Sequence, residues 1–183
     1  MNKTIPIVVG ITILLVGIGF SGCIEEKSTE ILVTASVNTL SLTVDDLPEG
    51  FSEVFNESPS SIPGLVESPT EYYVVSFLGN YSNKTTEIQF GLLKFNSSEV
   101  ASTNYSTLIL YFTIYSDTEL ITDSIDKIGD ESKAFSDFTG YSIHYYFRVS
   151  NVVGMMHIYG NNSYYFAFDL VKIVEDRILG CMD

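Results

Sequence analysis

Apolar residues recur at a period of two along much of the chain, and that period predicts strands. Ile31, Val33, Ala35 and Val37 follow it, and Leu40, Leu42 and Val44 repeat it, so strands are expected there. Asp45 to Gly50 closes the run, and the stretch from Ser52 to Pro69, with Pro59, Pro63 and Pro69, reads as a long irregular loop. Tyr72 to Leu78 and Glu87 to Phe95 are further strands, joined through Gly79 to Asn83. Ser97 and Ser98 can cap a helix over 97–116 in which Ala101, Tyr105, Leu108, Phe112 and Tyr115 share a face. Leu108 to Tyr115 also suits a strand; the capping and spacing favour the helix.

Ile128 to Ser132 looks like a turn leading into Ala134 to Phe138. His144 to Val149 and Val152 to Tyr159 flank Ser150-Asn151 as a tight hairpin, a register that sets Arg148 opposite Val153, Tyr146 opposite Met155 and His144 opposite His157. The other face of that hairpin is the more apolar, so the histidines are expected toward water or a thin cover. Asn162 or Ser163 then caps a helix with an apolar stripe of Ala167, Leu170, Val171, Val174 and Ile178, and Asp169, Lys172, Glu175 and Asp176 opposite. No repeat or linker interrupts residues 31–183. The expected fold is one α+β domain, an antiparallel sheet with a mid-chain and a C-terminal helix packed on it, preceded by an N-terminal signal or anchor helix.

Residues 1–22 change the picture. Lys3 precedes the uncharged run Ile5 to Phe20, which ends in Ser21-Gly22-Cys23. Small residues before a Cys that closes an apolar run resemble the lipobox of prokaryotic lipoproteins, and Ile24-Glu25-Glu26-Lys27 looks like the start of archaeal members. The resemblance implies that Cys23 is the first mature residue and carries a lipid, with 23–30 a short tether. An uncleaved anchor helix is the alternative, since Ile5 to Gly22 approaches the roughly 20 residues of a spanning helix, and a cleaved product without anchor is the third. Each places the domain outside the cytoplasm, at the outer face of the cell membrane in the first two cases. Six Asn-x-Ser/Thr sequons, at Asn56, Asn80, Asn83, Asn96, Asn104 and Asn161, are candidate glycosylation sites on that side. A lipidated Cys23 leaves Cys181 without a disulfide partner.

Composition narrows the functions. The 183 residues carry 9 basic against 23 acidic side chains, a net charge of −14, which repels a polyanion and excludes nucleic acid as partner. With two Cys and two His there is no Cys-rich zinc site, and no cofactor is expected. Phosphate-loop, zincin, Cys-x-x-Cys and nucleophile-elbow motifs are absent; Gly140-Tyr141-Ser142-Ile143-His144 comes nearest to the last but lacks its final Gly. Asp123, Asp126, Asp130 and Glu131 could offer oxygens to calcium, though their spacing is not that of an EF-hand and a solvated turn explains them as well. Asp130 and Glu131 should point to opposite sides of a strand, which argues against paired-carboxylate catalysis. His144 and His157 make a two-nitrogen metal candidate without an evident third ligand. The aromatic run from Phe138 to Phe168 serves as core filling in a chain without Trp, or as a binding platform.

Leu47-Pro48-Glu49-Gly50-Phe51, Ile128 to Ser132, Phe147-Arg148 with Asn151-Val152-Val153, and Leu170 to Ile178 together resemble uncharacterised extracytoplasmic lipoproteins of archaea. The resemblance implies a layout similar to the Mog1/PsbP type and supplies no catalytic residues. The expectation is a non-catalytic module held to the membrane by its lipid, binding an envelope protein or a small ligand. The alternative is a structural envelope accessory without a specific ligand.

Overall fold

The computed structural model describes residues 30–57, 62, 64–121, 127–160 and 163–182. Two hairpins form its centre. β2 (Glu71–Tyr81) and β3 (Lys84–Lys94) turn through Ser82 and Asn83, both left-handed with φ of 52° and 63°, the primed turn that matches strand twist. β6 (Ser142–Val149) and β7 (Val152–Tyr159) turn through Ser150 and Asn151, with Ser150 at φ 51°. β3 pairs with β7, β1 (Ser52–Glu57) extends the sheet beyond β2, and β5 (Glu131–Asp137) with β4 (Thr118–Leu120) extends it beyond β6. Among the described residues the seven strands run β1-β2-β3-β7-β6-β5-β4, every pair antiparallel.

Each face of the sheet carries its own core. On one, Val75, Phe77, Phe90, Leu92, Tyr145, Phe147 and Met156 meet α3 (Tyr164–Leu179), whose spacing buries the expected stripe Ala167, Leu170, Val171, Val174 and Ile178. The Ser163 hydroxyl accepts from Phe166 N at 3.3 Å and caps that helix. Burying each large apolar side chain contributes roughly 1.5–3 kcal/mol. Gly154 is what lets the Phe147 ring lie against β7: a Cβ there would sit 2.1 Å from the ring. On the other face, α2 (Ser98–Tyr115) packs Ala101, Tyr105, Leu108 and Ile109 on Leu93, Phe135, Tyr146 and Val153. Ser97 caps it, its Oγ accepting from Val100 N at 3.2 Å. The mid-chain segment is thus a helix and not a strand, although its stripe is rotated: Phe112 is half-buried and Tyr115 stacks on Tyr111 in solvent.

Three other expectations are corrected. The strands expected over Ile31–Val44 do not form; Val33 makes an isolated bridge to Met182, a short helix α1 occupies Val37–Leu40, and a 3₁₀ turn occupies Val44–Asp46. The periodic residues Val33, Val37, Leu40 and Leu42 are buried all the same, against the α3 core. The backbone turns because the Glu71 carboxylate takes the Ser36 hydroxyl at 2.8 Å and Val37 N at 3.1 Å, while also pairing with Lys94 at 2.7 Å. Asn151 fixes the same segment, accepting from Val33 N at 2.8 Å and donating to Phe95 O at 2.8 Å. Ser52–Glu57, expected within the proline-bearing loop, is strand β1. An edge strand with one solvent side tolerates its Ser, Glu and Asn, and a register shift between Glu53 and Phe55 breaks the alternation that would have revealed it. Glu175, expected on the outer side of α3, is buried: its carboxylate accepts from Gly129 N and from Lys172 Nζ, each at 2.6 Å.

Candidate functional site

Strand registers align one row of side chains across the α2 face of the sheet, in the order Phe55, Ser76, Gln89, His157, His144, Phe135. Helix α2 covers one half of that row. Its Phe112 ring lies 4.8 Å from His144, 5.2 Å from Phe135 and 6.1 Å from His157. Among the described residues nothing covers the other half.

Under the helix the polar groups form one directed chain. Burial opposes ionisation of Asp137, but hydrogen bonds from Tyr141 N, Ser142 Oγ and Thr139 Oγ1 outweigh it and hold the carboxyl below its ordinary range. An ionised carboxylate only accepts, so Ser142 donates to Asp137 Oδ2 at 2.9 Å and must accept from His144 Nε2 at 3.0 Å. His144 Nδ1 is then the acceptor for His157 Nδ1–H at 2.9 Å, and His157 Nε2 accepts from the Tyr146 hydroxyl at 3.4 Å. Each group has one role, and both rings are neutral. Burial pushes the His157 imidazolium down to about 3, with repulsion from His144 adding to it; burial also lowers His144, which Asp137 only partly offsets.

The expected cross-strand pair forms in the expected register, with His144 6% exposed under the cover of α2 and His157 half-buried beside the hollow lined by Met155. Their Nδ1 atoms share a proton, and among the described residues no three His, Cys, Asp or Glu side chains gather around an ion-sized space. Ser142 does not have the hydrogen-bond arrangement of a Ser-His-Asp nucleophile. A nucleophilic serine donates to an imidazole that a carboxylate orients, whereas here the hydroxyl donates to the carboxylate itself and is buried.

The open half of the row is a groove. Val54, Phe55, Val74 and Leu78 wall a cavity of about 420 Å³ on β1, β2 and β3, and Ser76, Glu87 and Gln89 supply its polar atoms. Phe55 and Leu78 are each 43% exposed, as an apolar side chain is when its partner is missing. A second hollow of about 120 Å³ shares Val74 and Gln89 with it and is lined further by Gly91, Met155 and His157. Sequence reasoning missed this groove because it missed β1. The alternation Glu87, Gln89, Gly91 along β3 was the available signal.

The remaining candidates are dispersed. Asp130 accepts from Arg148 Nη1 at 2.9 Å and Ser150 N at 2.8 Å, and Glu131 accepts from Arg148 Nε at 2.8 Å. The two carboxylates therefore converge on one guanidinium instead of diverging, since Asp130 precedes the strand and escapes its alternation. Asn80 and Asn96 are exposed, Asn83 occupies the β2–β3 turn, and Asn56 lies in β1. Asn104 is buried in α2, accepting from Val66 N at 2.8 Å and donating to Val100 O at 2.9 Å, which leaves no room for a glycan. Of the aromatic run, Tyr145 and Phe147 fill the core while Phe138, Tyr141 and Tyr165 are exposed. Cys181 is a half-buried free thiol. Cys23, Asn161, Asp123, Asp126 and the N-terminal anchor segment lie outside the described residues.

The seven-stranded antiparallel sheet with a helix on each face defines an α+β module with a groove on β1, β2 and β3. No family model matches the chain, and no curated protein matches its sequence. Among solved structures it is similar to the extracellular domain of PknH from Mycobacterium tuberculosis, with a TM-score of 0.57 and 11% identity, covering 78% of this chain and 94% of that one. At that identity the likeness is one of fold.

Proposed function

We propose that this chain is a non-catalytic, extracytoplasmic binding module, held to the outer face of the membrane through a lipid on Cys23, whose ligand occupies the groove between β1 and α2. The observation that carries the reading is the groove itself. Its volume of about 420 Å³ falls in the range of small-molecule sites, and its apolar walls enclose a few convergent polar groups. The directed chain from Asp137 to Tyr146 supports a binding role over a catalytic one, because it fixes the protons of both imidazoles and burial holds both below their ordinary value. The fold shared with a domain described as extracellular supports the location, and the lipobox-like Ser21-Gly22-Cys23 supports the anchor and the kinship with archaeal lipoproteins. An envelope protein is the second reading, favoured by Leu110, Ile114 and Tyr115 exposed along the outer side of α2.

The test is a thermal-shift screen of small apolar and amphiphilic compounds on the full chain and on Phe55→Asp, a change at an exposed position that leaves both cores intact. Compounds that raise the melting temperature of the wild type and not of the variant support the groove. Equal shifts in both proteins place binding elsewhere.

A further inference from the structure

We infer that the groove takes a small amphiphile whose apolar stem ends in a primary ammonium group, an inference that rests on the groove being the binding site. Charge decides it. Lys94, Arg148, Lys172 and Arg177 are committed to ion pairs with Glu71, with Asp130 and Glu131, with Glu175 and Asp176, and with Asp46 respectively. Among the described residues no Lys or Arg lines the groove. Lys84, the other cation on β3, alternates to the opposite face from Glu87.

Glu87 enters none of these ion pairs. One of its oxygens accepts from Gln89 Nε2 at 2.8 Å, and the other is left for a ligand. A carboxylate on a partly apolar wall favours a cation and repels an anion more strongly than one in open water. An ammonium has three donors and no acceptor, and the groove offers the complement: the second Glu87 oxygen, the Gln89 carbonyl and the Ser76 hydroxyl. The surrounding net charge of −14 raises the local concentration of any cation.

Geometry sets the stem. Glu87, Gln89 and Gly91 follow one another on one face of β3, so Glu87 and Gly91 are about 14 Å apart. Gly91 has no side chain to block the way, and a Cβ there would already be in van der Waals contact with Met155 and Val74. A straight decyl chain with its head at Glu87 is long enough to reach the second hollow, lined by Met155 and Val74.

The experiment is calorimetric titration of the full chain with decylammonium, decanol and decanoate, each below its micellar concentration, at pH 7 and low salt. Decylammonium should bind at least about tenfold more tightly than decanol, and decanoate most weakly. Glu87→Gln should bring decylammonium to the affinity of decanol and leave decanol unchanged. Glu53→Gln, which removes the same charge from the opposite face of β1, should change neither. Decanol binding as tightly as decylammonium to the wild type, or an ammonium preference that survives Glu87→Gln, overturns the inference and leaves the groove standing as a site for apolar ligands. Equal losses in the two Gln variants reduce the effect to bulk charge and overturn it too. A Lys-containing pentapeptide that binds more tightly than decylammonium assigns the site to a peptide and overturns it. Binding of none of the three amphiphiles overturns it as well, and the Phe55→Asp screen then decides whether the groove binds anything.

Discussion

Acidification from pH 6.5 to 5 should cost the folded state about 2 kcal/mol through His157 alone. Its folded value of about 3 lies below its ordinary 6.5, so the unfolded chain takes the proton first. Stability from this group is complete above pH 6.5 and is lost as pH falls from there toward 3, with a slope approaching 1.36 kcal/mol per unit. His144 is displaced the same way and steepens the loss. Asp46, Glu71 and Asp137 are also held below their ordinary values, but their contribution is lost only around pH 4 and lower, so a measurement confined above pH 5 isolates the imidazoles. For a domain of this size, 2 kcal/mol corresponds to a fall in melting temperature of about 4–8 °C. Thermal melts by circular dichroism at the two pH values should show it in the wild type, and the double variant His144→Gln/His157→Gln should melt at nearly the same temperature at both. A wild type indifferent to pH in this window, or a double variant that keeps the slope, would refute the burial of two neutral imidazoles under α2.

Five further outcomes can be checked. Val174→Asp places a carboxylate in the α3 core and should cost about 3 kcal/mol or more in urea unfolding. Lys172→Ala should cost about 1 kcal/mol, because it removes one of the two partners of buried Glu175. Gly154→Ala should destabilise by about 2 kcal/mol or more through its clash with Phe147, seen as a lower melting temperature with the sheet signal unchanged. Glycopeptide mapping of chain purified from its native membrane should find no glycan on Asn104, while Cys23→Ser should lower the mature mass by the lipid and release the chain from the membrane fraction.

The elements that the pattern revealed are those whose local chemistry and tertiary role agree. The α3 stripe, the Ser97 cap and the Ser150-Asn151 turn carry in a few residues what determines their form, so the hairpin register followed and brought His144 to His157. Ser142 could have been added by the same alternation, two residues from His144 on one face. What stayed hidden depends on distant partners. The Val37–Leu40 helix is held by Glu71, and Glu175 is drawn inside by Gly129 and Lys172, none of which the local pattern announces. β1 needs the β2 edge to exist at all, and with β1 went the groove.

The bridge between Val33 and Met182 makes the domain closer to a ring than to a line. A short Gly-Ser linker from residue 182 back to residue 30 would close that ring at small entropic cost, because the joined points already touch. Reopening it between Ser82 and Asn83 removes a turn that two side-chain-bearing residues hold in left-handed geometry. The permuted chain would keep every strand neighbour, yet both of its new ends would emerge at the far pole of the sheet. An anchor attached there would suspend the domain from the opposite end of the sheet.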